Sequence, residues 1–319
     1  MTVPDCDWHK TCDCTVARIE GHSDMNMTVA VIGATGFVGS HLVPHLVEMG
    51  HRVIAVSRDG RRSAGWRENV QTRAADVSTG SGLDEALIGA DAAVHLVAIP
   101  RESRGNSFEK INVHGTQRVV EAAERAGIQR LVHLSAIGVV DDPKLGFLNS
   151  KWLGEQAVRS SSLNWVVLRP SLLFGDGDGF FNLVKETLRY WSPGIVAIPG
   201  KGDARFQPLS VDDLAIAVEK SVTDVDRAGS VYELGGPDWV TYGEIVDKVM
   251  KVTRMRRLKL PMPIPLISAL TSVTDRVLPV FPVSHDQISS LQRPNYTDRD
   301  AFEQAFGVKP RKLDLQYLR

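Results

Sequence analysis

Residues 28–50 read TVAVIGATGFVGSHLVPHLVEMG, and no other stretch of the 319-residue chain restricts its fold so tightly. A β-branched apolar run ends at Gly33, and a helical apolar repeat starts at Phe37 and stops at Gly50. Gly33, Gly36 and Gly39 punctuate the join. A dinucleotide pyrophosphate needs main-chain N–H groups at a helix N-terminus with no β-carbon in the way, and glycine at these turns meets that need. Because the glycines follow a strand and precede a helix, they point to dinucleotide binding by Gly33, Thr35, Gly36, Phe37, Val38 and Gly39. Pro44 falls inside the helical repeat and is expected to loosen or kink it.

The alternation continues downstream. RVIAVSR at 52–58, AAVHLVAI at 92–99 and RLVHLSAIG at 130–138 read as strands, and TQRVVEAAERAG at 116–127 as a helix. Strands alternating with helices predict an α/β fold: a doubly wound parallel sheet, the Rossmann fold, with a smaller C-terminal substrate lobe. The expected organisation is a polar leader over 1–26, disordered or mis-started, a dinucleotide-binding core over 27–170, and remaining core elements plus the lobe over 171–319. Cys6, Cys12 and Cys14 all lie in the leader with His9, but no paired C-x-x-C knuckle accompanies them, so no metal is expected.

A formal net charge of −1 gives no electrostatic reason to expect nucleic acid as a partner. No run of about 18 apolar residues occurs, and the N-terminus lacks the apolar core of a secretory signal, so a cytoplasmic location is expected, peripheral to a membrane complex at most. The second strand ends in Ser57 and Arg58, where an NAD-preferring site would offer a carboxylate to the ribose hydroxyls. A guanidinium there can pair with a 2′-phosphate, which favours NADP(H), while Asp59 leaves NAD(H) open. Arg61 and Arg62 read either as further phosphate ligands or as a solvated basic loop.

TGFVG at 35–39, ADV at 75–77, HLVA at 95–98, INVHGTQRVVEAA at 111–123, HLSAIGV at 133–139, SKWLGE at 150–155 and LRPSLLFG at 168–175 occur in this order. The order resembles that of extended and atypical short-chain dehydrogenases/reductases, over about residues 28–310. ARFQPLSVDDLA, YELGGPDWVTYGEIV and LPMPIPL look most like the branch containing the Rossmann-type accessory subunit of respiratory complex I and its bacterial relatives, described as nucleoside-diphosphate-sugar epimerases. The resemblance implies that Asp76 and Val77 lie against adenine, that Ala98 borders the nicotinamide half, and that Asn112 holds the central helix and an ordered water. It implies further that Ser135 hydrogen-bonds a substrate carbonyl, that Lys151 grips the nicotinamide ribose, and that Arg169, Pro170 and Ser171 face the carboxamide.

One position departs from the family pattern. Where the resemblance implies a tyrosine four residues before Lys151, the chain has Phe147. Phenylalanine has no ionisable hydrogen, and losing a positioned general acid typically removes about 10²- to 10⁴-fold of rate. The resulting expectation is an NAD(P)(H)-binding accessory, scaffold or redox-sensing protein with weak or no hydride transfer. The competing expectation is an NADP-dependent reductase, epimerase or dehydratase, acting on an apolar carbonyl or nucleotide-sugar, with Lys151, His95, His133 or a water held by Ser135 as substitute donor. His95 and His133 otherwise read as satisfied core histidines, and His41 and His45 as solvated or packed ones.

In the second half, FFNLVKETLRYW has helical spacing and SVDDLAIAVEK reads as a helix capped by Ser210 or Asp212. Phe174, Phe181, Arg205 and Gln207 are candidate cleft residues by position. RMRRLKL at 254–260 is basic, and LISALTSVTDRVL at 266–278 can form an amphipathic helix, so the lobe is expected either to pack on the body or to dock a protein partner or a membrane surface.

Overall fold

The computed structural model describes residues 26–63, 65–66, 69–192, 194–267 and 293–319. The cysteine-bearing leader and nearly all of the expected 266–278 helix lie outside these residues. In chain order the strands are β1 (Thr28–Ile32), β2 (Arg52–Ser57), β3 (Val70–Ala74), β4 (Ala92–His95), β5 (Arg130–Leu134), β6 (Asn164–Pro170), β7 (Leu173–Phe174), β8 (Ile195–Pro199), β9 (Arg205–Phe206), β10 (Leu209–Ser210), β11 (Ser230–Leu234), β12 (Val240–Thr241) and β13 (Leu258–Met262). The helices are α1 (Phe37–Glu48), α2 (Leu83–Leu87), α3 (His114–Arg125), α4 (Gly146–Arg159), α5 (Phe180–Glu186), α6 (Val211–Thr223), α7 (Tyr242–Val252) and α8 (Ala301–Phe306).

Seven strands form one sheet in the order β11-β6-β5-β4-β1-β2-β3. Every neighbouring pair runs parallel. Parallel strands need crossover helices, and those helices cover both faces, which is why the central strands are apolar throughout. Val31, Val94, Val132 and Leu168 pack on one face with Leu42 and Leu46 of α1, Leu214 of α6 and Phe302 of α8. Ala30, Ala93, Leu131 and Val167 pack on the other, beneath α2, α3 and α4. The doubly wound Rossmann architecture expected from the sequence is the one observed.

α1 continues through Pro44, which sits on its exposed face, and no break occurs before Glu48. α6 begins at Ser210, whose hydroxyl accepts from the Asp212 N–H at 3.3 Å. The lobe has its own apolar centre, with Phe181, Ile198, Phe206, Ile245, Val249 and Leu318. Beside it, Leu258–Met262 is a strand paired in parallel with β8, and Pro261 is tolerated there because β13 is an edge.

Gly39 fixes how closely α1 approaches β1. A Cβ at this position would lie 2.5 Å from both the Gly33 and Ala34 carbonyl oxygens, which are backbone atoms with nowhere to go. Gly39→Ala is expected to cost about 1–3 kcal/mol, as overpacking does, read as a lowered urea midpoint at unchanged slope. An unaltered midpoint would show that the helix–strand contact is looser than this geometry requires.

Candidate dinucleotide cleft and the catalytic position

The strand order reverses between β1 and β4, so their C-terminal ends open a crevice of the kind that receives ligands in open α/β sheets. Gly33 turns the chain there with φ +94°, and a Cβ on it would stand 3.0 Å from Val97 Cγ2. Gly36 is the N-cap of α1, makes no side-chain cap, and is followed by no acidic residue in the first turn. Thr35 and Gly36 are exposed and Phe37 and Val38 half-buried, and the first-turn N–H groups of this twelve-residue helix have no side-chain cap. These residues fit a pyrophosphate, and no side chain competes for its place.

At the end of β2, Ser57 donates to Asp59 Oδ1 at 3.2 Å, and Asp59 also pairs with Arg61 Nε at 3.3 Å. Arg62 Nη1 donates to the Val70 carbonyl at 2.9 Å. Arg58 is exposed and has no protein partner among the described residues, so it is the guanidinium available to a 2′-phosphate. Asp76 closes its own turn by accepting from Ser78 N at 2.8 Å, and Val77 beside it is buried. Ala98 is half-buried, and the next residue is clamped: Asn112 accepts from Ile99 N at 2.9 Å and donates to Ile99 O at 3.1 Å. A second bond from the Asn112 amide, 3.0 Å to Ser150 Oγ, ties this loop to α4. Asn112 itself lies in a π-helical turn, Glu109–Val113, at the head of α3.

Ser135, Phe147 and Lys151 are brought to one region by β5 and α4, but their polar atoms are already engaged. Ser135 Oγ donates to Glu155 Oε2 at 3.0 Å. Glu155 is fully buried and is held in a bidentate pair with Arg169, Nε to Oε2 at 3.0 Å and Nη2 to Oε1 at 2.7 Å. Arg169 is therefore an internal counter-ion, and of the expected carboxamide-facing trio Pro170 is buried while Ser171 bonds Asn295. Lys151 is buried and donates to the Leu134 carbonyl at 2.5 Å. Burial brings its amine down to about 8, against the opposing attraction of Glu155. Phe147 packs its half-buried ring toward Phe108, with centroids 6.1 Å apart.

His95 and His133 lie opposite each other in β4 and β5, both buried, with ring centroids 5.3 Å apart. His95 Nε2 meets Thr116 Oγ1 at 3.1 Å, and that hydroxyl already donates to Asn112 O, so Nε2 carries the proton. His95 Nδ1 and both nitrogens of His133 have no hydrogen-bond partner among the described residues. The expectation of satisfied core histidines thus holds for one of four ring nitrogens. Burial, with repulsion from Lys151 added, holds His95 down at about 3 and His133 well below its ordinary value.

Three of the four cleft candidates from the second half are interior. Phe174 and Phe181 belong to the lobe core, and Gln207 is buried, donating to Gly236 O at 2.7 Å and accepting from Thr297 N at 2.8 Å. Position along the chain could not distinguish lobe core from cleft wall; Arg205 alone is exposed. The tyrosines offer no obvious replacement donor: Tyr242 is raised to about 12 by burial, Tyr317 donates to Asp178, Tyr232 packs on Phe306 and Tyr296 on Trp239. His41 bridges Asp212 Oδ1 at 3.0 Å and the Asp176 carbonyl at 2.9 Å, beside an open cavity of about 400 Å³ that lies between α1 and α6, away from the crevice.

A family model described as NAD(P)H-binding matches residues 33–189. The chain is 28% identical over 306 residues to NADH dehydrogenase [ubiquinone] 1 alpha subcomplex subunit 9, mitochondrial, of Arabidopsis thaliana, spanning 92% of this chain and 76% of that protein. It is 30% identical over 276 residues to divinyl chlorophyllide a 8-vinyl-reductase, chloroplastic, of Zea mays, covering 81% of this chain and 67% of the reductase. Among solved structures, MoeE5 in complex with UDP-glucose and NAD superposes with a TM-score of 0.65 at 23% identity, over 89% of this chain and 94% of that one. The chain belongs to the NAD(P)-binding atypical short-chain dehydrogenases/reductases. Nicotinamide dinucleotide is the ligand class this membership carries, and complex I accessory subunits are among the relatives.

Within this short-chain dehydrogenase/reductase, the residue that sequence reasoning missed is Glu155. Its spacing of four from Lys151 on one helix was the available signal. The histidine pair yields a pH dependence of definite sign. Both imidazoles titrate lower folded than unfolded, so the unfolded chain binds more protons below its ordinary value of about 6.5. Their contribution is full above that pH and is lost as pH falls below about 6.5, for His95 down to about 3, by up to about 1.4 kcal/mol per unit for each histidine. Urea titrations at descending pH are expected to show His133→Leu losing stability less steeply than the unaltered protein. Parallel slopes would mean that His133 is protonated in the folded state.

Proposed function

We propose that this chain binds NADP(H) in preference to NAD(H) and serves as an accessory, scaffold or redox-sensing protein with weak or no hydride transfer of its own. The observation that carries the reading is Phe147, one turn before Lys151 on α4 and packed toward Phe108. The side chain that should supply a proton is a hydrocarbon, and the hydroxyl that should hold a carbonyl, on Ser135, is committed to Glu155. The glycine turn, by contrast, is intact. Binding and chemistry have separate requirements, and a tightly bound nucleotide stabilises a fold by mass action without turnover. Arg58 supports the cofactor preference, since its guanidinium is free to pair bidentately with a 2′-phosphate.

A second reading rests on Lys151. An amine brought down to about 8 can give and take a proton near neutral pH, so a slow reductase, epimerase or dehydratase using Lys151 as donor is the active alternative.

Fluorescence titration is expected to show NADPH binding more tightly than NADH, with Arg58→Glu weakening NADPH about ten-fold or more and leaving NADH little changed. Tighter binding of NADH by the unaltered protein would reverse the assignment. NADPH consumption at 340 nm across a panel of apolar carbonyls and nucleotide-sugars is expected to stay at background. Phe147→Tyr should keep NADPH affinity and still fall short of rapid turnover, because Ser135 remains on Glu155. Rapid turnover by the unaltered chain, with a pH limb near 8 lost in Lys151→Met, would establish the second reading.

A further inference from the structure

The lobe carries an apolar face that nothing in the described chain covers. β8 and β13 pair in parallel with Leu258 opposite Ile195 and Leu260 opposite Ala197, so these side chains share one side of the two-stranded sheet. Val196 and Ile198 are buried, which puts the sheet's other side in the lobe core and turns Ile195, Leu258 and Leu260 outward. Tyr190, in the π-helical turn before β8, and Leu266, after β13, flank these strands; with Ile195, Leu258 and Leu260 they make five side chains that are 49–68% exposed. They account for five of the ten large apolar side chains that the described chain leaves exposed, gathered on two neighbouring strands and their flanks. Scattered surface leucines need no explanation, but a contiguous set marks a docking surface.

The charge beside it selects the occupant. Between Glu244 and Lys259 the chain has six basic residues, Lys248, Lys251, Arg254, Arg256, Arg257 and Lys259, against two acidic ones, in a protein of net charge −1. Arg254, Arg256 and Lys251 are exposed, and Arg189 lies over the Tyr190 ring at 5.5 Å. Arg257 is structural, since its Nε donates to Leu188 O and holds the start of β13 against the turn. Arg254 takes φ +56°, a left-handed turn at the end of α7 where glycine is the usual residue. An exposed tyrosine beside aliphatic side chains, rimmed by arginine and lysine, is the composition of a surface seated at the headgroup level of a bilayer.

We infer that the β8–β13 face, with Tyr190 and its arginine rim, docks on an anionic membrane surface. The inference deepens the accessory reading by naming what the lobe engages, and it can fail without that reading failing, because NADPH binding is measured on the same samples. Flotation with phosphatidylcholine vesicles carrying about 30% phosphatidylserine is expected to recover the full-length protein at least about ten-fold better than with phosphatidylcholine alone. Raising salt to about 1 M, where the screening length falls to about 3 Å, should abolish the difference. Charge reversal of Arg189, Arg254 and Arg256 to Glu, and separately Leu258→Ser with Leu260→Ser, should each cut recovery about ten-fold or more while NADPH affinity is retained. Failure to bind anionic vesicles would overturn the inference. Equal binding to neutral vesicles would overturn it too, as would a dimer in solution that Leu260→Ser dissociates, which would assign the face to a second copy.

Discussion

A carboxylate with no solvent exposure cannot stand alone in a protein interior, and Glu155 is such a group. Its partners are drawn from three elements: Ser135 just beyond β5, Arg169 on β6, and Arg159 one turn further along α4 at 3.5 Å. The cluster therefore sets how α4 lies across the C-terminal ends of two central strands. It also keeps an opposite charge near Lys151, without which burial would lower that amine further. One ion pair thereby fixes the helix, tempers the lysine and takes the serine hydroxyl out of the crevice.

The proposed separation of binding from chemistry rests on that arrangement. In that proposal dinucleotide recognition uses backbone: the left-handed Gly33, the uncapped N-terminus of α1 and the close approach permitted at Gly39. None of these involves Glu155. Proton transfer would fall to side chains on β5 and α4, and there Phe147 has no hydroxyl and that of Ser135 is committed, while burial holds His95 and His133 neutral. His133, whose two ring nitrogens have no hydrogen-bond partner among the described residues, is a cost to the fold.

The parts of this molecule legible in its sequence were those with strong periodicity or obligatory glycine. β1, β2, β4 and β5 stood out because strands covered on both faces are nearly all apolar. β3 did not, because VQTRA is an edge strand with a single buried residue and reads as a polar stretch. β13 was hidden by Pro261 and by Pro263 and Pro265 just after it, which exclude a helix but not an edge strand. In the site, the cradle was readable and the side-chain network was not. Whether Ser135 faces substrate or Glu155, and whether Gln207 lines a cleft or clasps Gly236, depends on rotamers and on elements far apart in the chain.

The most direct test is a crystal structure of the complex with NADPH. It should show the pyrophosphate on the N–H groups of α1, Ser135 still bonded to Glu155, and the hydrocarbon ring of Phe147 where a proton donor would stand. A tyrosine or histidine drawn within hydrogen-bond reach of the nicotinamide, or Ser135 released from Glu155 toward it, would contradict the separation of binding from catalysis.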